Sequence, residues 1–331
     1  MLTYAYKTQN EDFRVNEILN VVLDGGIYHY YILCKSGLRT VDVIDKISEN
    51  YNVALSDITY AGLKDEDAVT MQYIAIKNRI IENHSNYFEG KKYSLSYVGA
   101  SDFPIEIGRL QGNSFKIRLR NLELIIAQKI QGWERHVFPI INYFDVQRFG
   151  MPRKPKLTYR IGECLIQQHH DEAFKFLFDS GNIDKETFYH WKNNGKSYFD
   201  AMEIRRKSFY LSSSDSFEWN CNVKNILQRK GGVFDCEKEG IHFGYVSNLT
   251  DSIRKELDCM PIVWHRYNND GNIYLKKSFR QPYIDIIYRS SEIMQDDYYC
   301  GKYMVDIDFV LPAGAYATNA IDQLMYILGQ R

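Results

Sequence analysis

Over the first hundred residues, apolar and polar positions alternate in short runs, the period of half-buried strands, with one interruption at helical spacing. Residues 28–34 are aromatic and β-branched, with Gly25 and Gly26 before them and Ser36 and Gly37 after them, and read as a strand between turns. Thr40 then stands where a helix cap belongs, since Asp42 falls in the first turn and Val43, Ile44 and Ile47 repeat at helical spacing. Residues 58–76 alternate at both ends around a charged centre. A second helix is predicted over about 122–136 from Leu124, Ile125 and Ile130.

Residues 155–279 differ in texture. A helical pattern over 161–178, closed by Ser180 and Gly181, is mixed with polar loops at 193–195 and 267–272. Ser212, Ser213 and Ser214 lack any G-x-S-x-G context and read as a polar loop or helix cap. Strand alternation returns over 304–311, Pro312, Ala313 and Gly314 make a turn, and an apolar helix follows over about 316–328. There is no internal repeat and no low-complexity tract.

Composition bounds the class. The 331 residues, 45% hydrophobic and 25% charged, suffice for about two domains with their own cores, which excludes disorder, collagen and a coiled-coil rod. No run of about 18 apolar residues occurs, and Lys7, Glu11 and Asp12 interrupt the start where a signal peptide is apolar, so a cytoplasmic protein without membrane association is expected. Six cysteines without a C-x-x-C pair read as reduced structural thiols. His169 and His170 are the single close histidine pair; neighbours on a helix point about 100° apart and share a metal poorly. With no glycine-rich phosphate loop either, neither a metal nor a nucleotide cofactor is expected.

The net charge of −1 argues against a nucleic-acid partner until it is divided along the chain. Residues 107–160 hold eleven Lys or Arg (Arg109, Lys116, Arg118, Arg120, Lys129, Arg135, Arg148, Arg153, Lys154, Lys156 and Arg160) against three acids. That local excess is either a solvated surface or a face for a polyanion.

Three stretches carry candidate chemistry. The first runs from Ala61 through Gly62, Leu63, Lys64 and Asp65 to Gln72. Lys64 beside Asp65 would keep a carboxylate ionised for use as nucleophile or base, although a charged loop between strands is also an ordinary hairpin tip. The second is Gly112, Asn113, Ser114, Phe115 and the alternating basic residues Lys116, Arg118 and Arg120. It is either an edge strand with a basic outer face, or an aromatic for base stacking beside an amide that orients a carboxylate or a base. The third, Asn142 to Gly150, interleaves Tyr143, Phe144 and Phe149 with Gln147 and Arg148, a composition suited to unstacked RNA and equally to a core.

Together these stretches resemble the D-type family of pseudouridine synthases (TruD). Ala61, Gly62, Lys64, Asp65, Ala68, Val69, Thr70 and Gln72 match its signature in register. Gly112, Asn113, Phe115, Arg118 and Arg120 match its second motif, and Asn142, Tyr143, Phe144, Gln147, Arg148, Phe149 and Gly150 its third. Lys7, Glu11, Asp12 and Phe13 match the early lysine and the run after it, followed by Val15 and Glu17; Gly26, His29 and Thr40 fit a further pattern, and Phe309, Leu311, Pro312, Gly314, Tyr316, Ala317 and Thr318 fit the closing one. The chain departs from the family at Asp145, usually glycine, at Gln281, where a second arginine is common, and over 319–323, which lacks an arginine-glutamate pair.

The resemblance implies an α+β fold. A discontinuous catalytic domain with a curved mixed sheet, residues 1–154 and 280–331, would be joined by an inserted α/β domain, residues 155–279, the two forming an RNA cleft lined by the basic stretch. It implies an isomerase, a tRNA pseudouridine synthase acting on a specific uridine, at D-stem position thirteen or a related site, without a cofactor and as a monomer. Asp65 would be the catalytic carboxylate, as nucleophile at C1′ or base at C2′. Lys64 would keep it charged, Phe115 would stack on the uracil and Asn113 would orient the carboxylate or base. Lys7, Glu11, Phe13, His29, Gln72, Asn142, Arg148, Arg118 and Arg120 would bind substrate. A non-catalytic RNA-binding or RNA-folding protein on the same fold, and a glycosidic-bond hydrolase using Lys64 and Asp65, are the competing readings.

Overall fold

The computed structural model describes residues 3–88, 90–106 and 110–330, so Arg109 of the basic stretch lies outside the described residues. In chain order the elements begin with β1 (Phe13–Leu19), β2 (Tyr28–Ser36), α1 (Thr40–Tyr51), β3 (Ile58–Tyr60), β4 (Val69–Lys77), β5 (His84–Phe88), β6 (Lys91–Ser101), β7 (Leu110–Leu122) and α2 (Leu124–Gly132). The middle holds β8 (Phe138–Ile141), α3 (Thr158–Ile166), α4 (His170–Asp179), α5 (Lys185–Trp191), α6 (Gly195–Ala201), α7 (Ile204–Lys230), β9 (Val233–Lys238), β10 (Ile241–Val246), α8 (Asp251–Asp258), β11 (Ile262–Tyr267) and β12 (Ile273–Ser278). The chain closes with β13 (Tyr283–Ile286), β14 (Arg289–Ser290), β15 (Met294–Gln295), β16 (Tyr303–Pro312) and α9 (Ala317–Gln330).

Two compact units result, both discontinuous: residues 1–138 with 285–317, and residues 139–284 with 318–331. The borders expected at 154/155 and 279/280 fall inside the second unit. The basic stretch is divided between them, Lys116 to Arg135 in the first and Arg148 to Arg160 in the second.

The first unit is built on a mixed sheet in the order β14-β16-β7-β1-β4-β2-β6-β5, with β15 on β16 and β3 on β4. β1 and β4 run parallel, and the other pairs with a recorded register are antiparallel. The period-2 pattern of β2 points Tyr31 and Leu33 to one face, where they pack with Val43, Ile44 and Ile47 of α1. α1 starts as expected but is not capped by Thr40. Arg39 holds the N-cap position, and the Thr40 hydroxyl donates to Gln72 Oε1 at 2.9 Å instead.

In the second unit the helical stretch over 161–178 is two helices, α3 and α4, parted at Gln168, whose φ of +61° is left-handed. Ser212, Ser213 and Ser214 are interior residues of α7, where a loop or cap was expected. The polarity of the two buried ones is tolerated because their hydroxyls are satisfied: Ser212 Oγ donates to the carbonyl of Ser208, and Ser213 Oγ and Thr158 Oγ1 lie 2.7 Å apart. Small residues are required where α3 crosses α7. A Cβ on Gly162 would lie 2.0 Å from the carbonyl oxygen of Tyr210, so Gly162→Ala is expected to destabilise the second unit by about 2 kcal/mol or more, read as a lowered denaturant midpoint.

Candidate active site

One row of residues runs across six strands of the first unit. Cross-strand pairing aligns Phe309 with Phe115, Phe115 with Val15, Val15 with Thr70, Thr70 with Lys35, and Lys35 with Tyr93. Paired residues share a face of a sheet, so this face carries an aromatic end and a charged end about three strand spacings, or roughly 14 Å, apart. The next row brings Leu311, Asn113 and Glu17 together.

The loop 61–68, which joins β3 to β4, carries Asp65 and is tied down from several sides. Gln72, fully buried, accepts from Thr40 Oγ1 and donates through Nε2 to the carbonyl of Gly62 at 3.3 Å, and Thr40 Oγ1 accepts from the Lys64 amide at 3.1 Å. Beneath the loop, Lys35 Nζ donates to the carbonyls of Leu38 at 2.7 Å, Asp65 at 2.9 Å and Lys64 at 3.5 Å. With its backbone held, the Asp65 side chain remains 36% exposed and accepts from Lys7 Nζ at 3.1 Å.

Lys7, and not Lys64, is the cation at Asp65. Lys64 Nζ lies 2.7 Å from Glu17 Oε1 and 3.0 Å from Asn113 Oδ1, while Glu17 Oε2 accepts from the amide of Tyr73. The expectation that Lys64 keeps Asp65 ionised is therefore corrected, because the Lys64 ammonium is taken up by Glu17 and Asn113. Asn113 likewise accepts from Lys64 and does not meet the Asp65 carboxylate. Lys7 reaches its place from a left-handed backbone, φ +61°, a conformation with a steric cost for a residue bearing a Cβ. Its Nζ also lies 4.2 Å from the centroid of Phe13, which meets Phe115 edge-on at 6.1 Å; Phe115 in turn stacks on Phe309 at 5.5 Å. Asp65, Lys7, Phe13 and Phe115 thus form one chain of contacts.

Phe115 is only 6% exposed between these rings, so it does not offer an open ring face for stacking on a base. Gln72 fixes the loop from below instead of facing a substrate. Glu11 is exposed in a short turn before β1, its carbonyl accepting from Arg14 Nε. His29 lies six residues up β2 from Lys35, roughly 20 Å along the strand. Its buried Nδ1 has no hydrogen-bond partner among the described residues.

The basic strand is not at an edge: β7 lies between β16 and β1. Arg118 makes a two-pronged pair with Asp306, at 2.6 and 3.0 Å. Arg120 is 1% exposed and gives its guanidinium to Asp12, Asp296 and Asp297, so its expected contact with RNA is corrected to a structural ion-pair cluster. Lys156, also buried, is turned inward to Glu239 and to the carbonyls of Gly150 and Met151.

The third motif belongs to the second unit and is mostly core. Tyr143, Phe144 and Phe149 are buried, Phe144 between Trp219 and the guanidinium of Arg280. Asn142 donates to the carbonyl of Gln281 and accepts from Arg280, which occupies the amide expected at the substrate. Arg148 donates to Ser216 Oγ at 3.4 Å and lies 5.7 Å from the Phe209 ring. The departures are accommodated here. Asp145 is buried and accepts from Lys238 Nζ at 3.2 Å and from Thr318 Oγ1; Asn319 and Gln323 clamp the backbone of Ile141.

Burial pushes the Cys164 thiol up to about 11, away from reactivity. Among the described residues no cluster of three or more His, Cys, Asp or Glu is placed to hold a metal, and no helix is long and apolar enough to cross a membrane.

Comparison with known proteins covers the same ground. The family model for tRNA pseudouridine synthase D (TruD) matches residues 4–223. A protein named probable tRNA pseudouridine synthase D 1 from Methanococcus maripaludis is 26% identical, over 98% of this chain and 100% of its own length. A probable tRNA pseudouridine synthase D from Pyrococcus abyssi is 33% identical over 53% of this chain and 43% of its own. A crystal structure of a protein described as TruD from Methanosarcina mazei covers 100% of this chain and 95% of its own with a TM-score of 0.64 and 18% identity, which shows the shared fold. A family match across the Asp65 loop and its supporting strands, full-length relatives and a full-length structural likeness agree that the chain belongs to the TruD family of tRNA pseudouridine synthases, which are isomerases.

Proposed function

We propose that the protein converts a uridine of transfer RNA, in the D-stem or a related site, into pseudouridine, with Asp65 as the carboxylate that acts at the ribose. The observation that carries this reading is the setting of Asp65. Its backbone is fixed from beneath by Lys35, while its accessible carboxylate is positioned by Lys7 at 3.1 Å. The site needs a flipped nucleotide and a carboxylate whose geometry is set before the substrate arrives.

The reaction balances without a redox partner. The N1–C1′ bond breaks, the uracil turns, and C5 bonds to C1′. C5 loses its proton and N1 gains one. Asp65 serves either as the nucleophile at C1′ or as the base that takes the C2′ proton. Lys7, Phe13 and Phe115, which follow Asp65 in one chain of contacts, would restrain the detached uracil. Lys116 and Arg118 point to the face of β7 opposite Phe115, where both lie at Asp306, so phosphate binding at the Asp65 site is not assigned to them.

Transfer RNA carrying uridine tritiated at C5 tests the reading. Release of tritium to water with the base still attached to the RNA is the expected result. Free uracil would mark a hydrolase, and tight binding without either product would mark a non-catalytic RNA-binding protein; both would overturn the proposal.

A further inference from the structure

We infer that Lys35 is a positioning residue for the isomerisation, its buried ammonium clasping the backbone of the loop 61–68 from beneath and setting where the Asp65 carboxylate stands. The inference rests on Asp65 being the acting carboxylate. Lys35 is 1% exposed at an inward position of β2, in line with the apolar Tyr31 and Leu33, where a strand that needed only packing would carry another apolar side chain. A buried charge costs several kcal/mol unless it is well hydrogen-bonded. Here the three acceptors are main-chain carbonyls, and those of Lys64 and Asp65 belong to the loop itself. Holding the loop by its backbone leaves the Asp65 side chain available for chemistry.

The clasp depends on a proton. Burial pulls the ammonium of Lys35 down to about 8; Asp65 and Glu66 oppose that, Lys64 adds to it and Cys34 opposes it weakly. Below pH 8 three N–H groups face three carbonyls. Above it the neutral amine keeps two N–H groups and turns a lone pair toward the remaining oxygen. The effect on stability has the opposite sign. Because the folded-state value lies below that of an ordinary lysine, the burial cost is present below pH 8 and relieved as pH rises toward about 10.4. A fall in activity above pH 8 through Lys35 is therefore not a fall in stability.

Lys35→Met keeps the length of the stem and removes the donors. Tritium release should show kcat lowered roughly 10- to 100-fold with KM for the transfer RNA changed less than about threefold, the mark of misplaced chemistry and not of lost binding. The wild-type decline in kcat with a midpoint near pH 8 should vanish in the variant, and amide hydrogen exchange over residues 61–68 should speed up. An unchanged kcat, a KM effect alone, or an alkaline limb kept at the same midpoint overturns the inference. If Lys35→Met does not fold, wild-type exchange over 61–68, corrected for intrinsic rate, decides. Protection lost through pH 8 supports the clasp and constant protection removes it. If Asp65→Asn stays fully active, the functional reading fails while the exchange experiment still judges the clasp. If Asp65→Asn is inactive and Lys35→Met behaves as wild type, the clasp alone fails.

Discussion

Asp65→Asn is expected to lower kcat for pseudouridine formation by at least about 10³-fold, with transfer RNA affinity held within about threefold. The amide can neither attack C1′ as an anion nor accept a proton from C2′, so either role of Asp65 is lost. Its shape is nearly that of the carboxylate, and what holds the loop is untouched: Lys35 grips backbone carbonyls, Gln72 grips Gly62, and Thr40 receives the Lys64 amide. Two interactions change: the pair with Lys7 at 3.1 Å, partly exposed on both sides and so of small consequence for stability, and the Asp65 charge that helps keep Lys35 protonated, so the comparison is made well below pH 8. Tritium release under single-turnover conditions, beside a filter-binding titration of the same transfer RNA, reads both quantities. A variant that keeps a tenth or more of the wild-type rate would remove Asp65 from the chemistry.

For stability, the largest effect is expected from Arg120→Met, a loss of about 3–5 kcal/mol and a drop in Tm on the order of 10 °C. Arg120 Nε donates to both oxygens of Asp12 at 2.9 Å, and Nη1 to Asp296 at 2.9 Å and Asp297 at 2.5 Å. Asp12 and the Asp296 side chain are fully buried. Burial on its own would lower the guanidinium's affinity for its proton, but the hydrogen bonds to Asp297, Asp12 and Asp296 outweigh it and raise it. Burial would likewise raise the Asp296 carboxyl, yet the amides of Asn121, Tyr298 and Tyr299, with Arg120, hold it below the usual range. That depression contributes stability present above about pH 3.9 and lost as pH falls through the folded-state value. Methionine fills the stem's volume but leaves the buried Asp12 carboxylate with the Gln9 amide and no cation. Thermal melts at pH 7 measure the loss. If Arg120 instead served RNA, the variant would keep its Tm and lose affinity.

Several features are legible in the sequence alone. The strand over 28–34, the helix that starts at Thr40 and the closing strand and helix follow from apolar periodicity, because each buries one face and needs only its own residues to show which. The loop with Lys64 and Asp65 between two strands was equally plain, since a dense motif fell where the alternation broke. Other readings failed for identifiable reasons. The serines at 212–214 looked like a loop because propensity does not see the hydroxyl partners that a neighbouring helix supplies. Arg120 looked exposed because alternation assigns a face but does not say that three acids from two distant segments, Asp12 and Asp296–Asp297, cover it. Lys35 carries a signal of its own in the sequence: a lysine at the inward parity of an apolar strand is a conflict, and such conflicts mark sites.

The sequence by itself determined the strands and helix around the Asp65 loop, the closing strand and helix, the family motifs and the carboxylate at the centre of the loop. Only the tertiary structure decided which cation stands beside that carboxylate, what anchors its loop and which arginines are turned inward. The physical reason is separation along the chain. Lys7 and Asp65 are 58 residues apart, Lys64 and Asn113 are 49, and Arg120 and Asp296 are 176, so these pairings depend on strand order and register. Periodicity specifies a face within one strand, whereas an ion pair is chosen by the neighbour that folding places across from it.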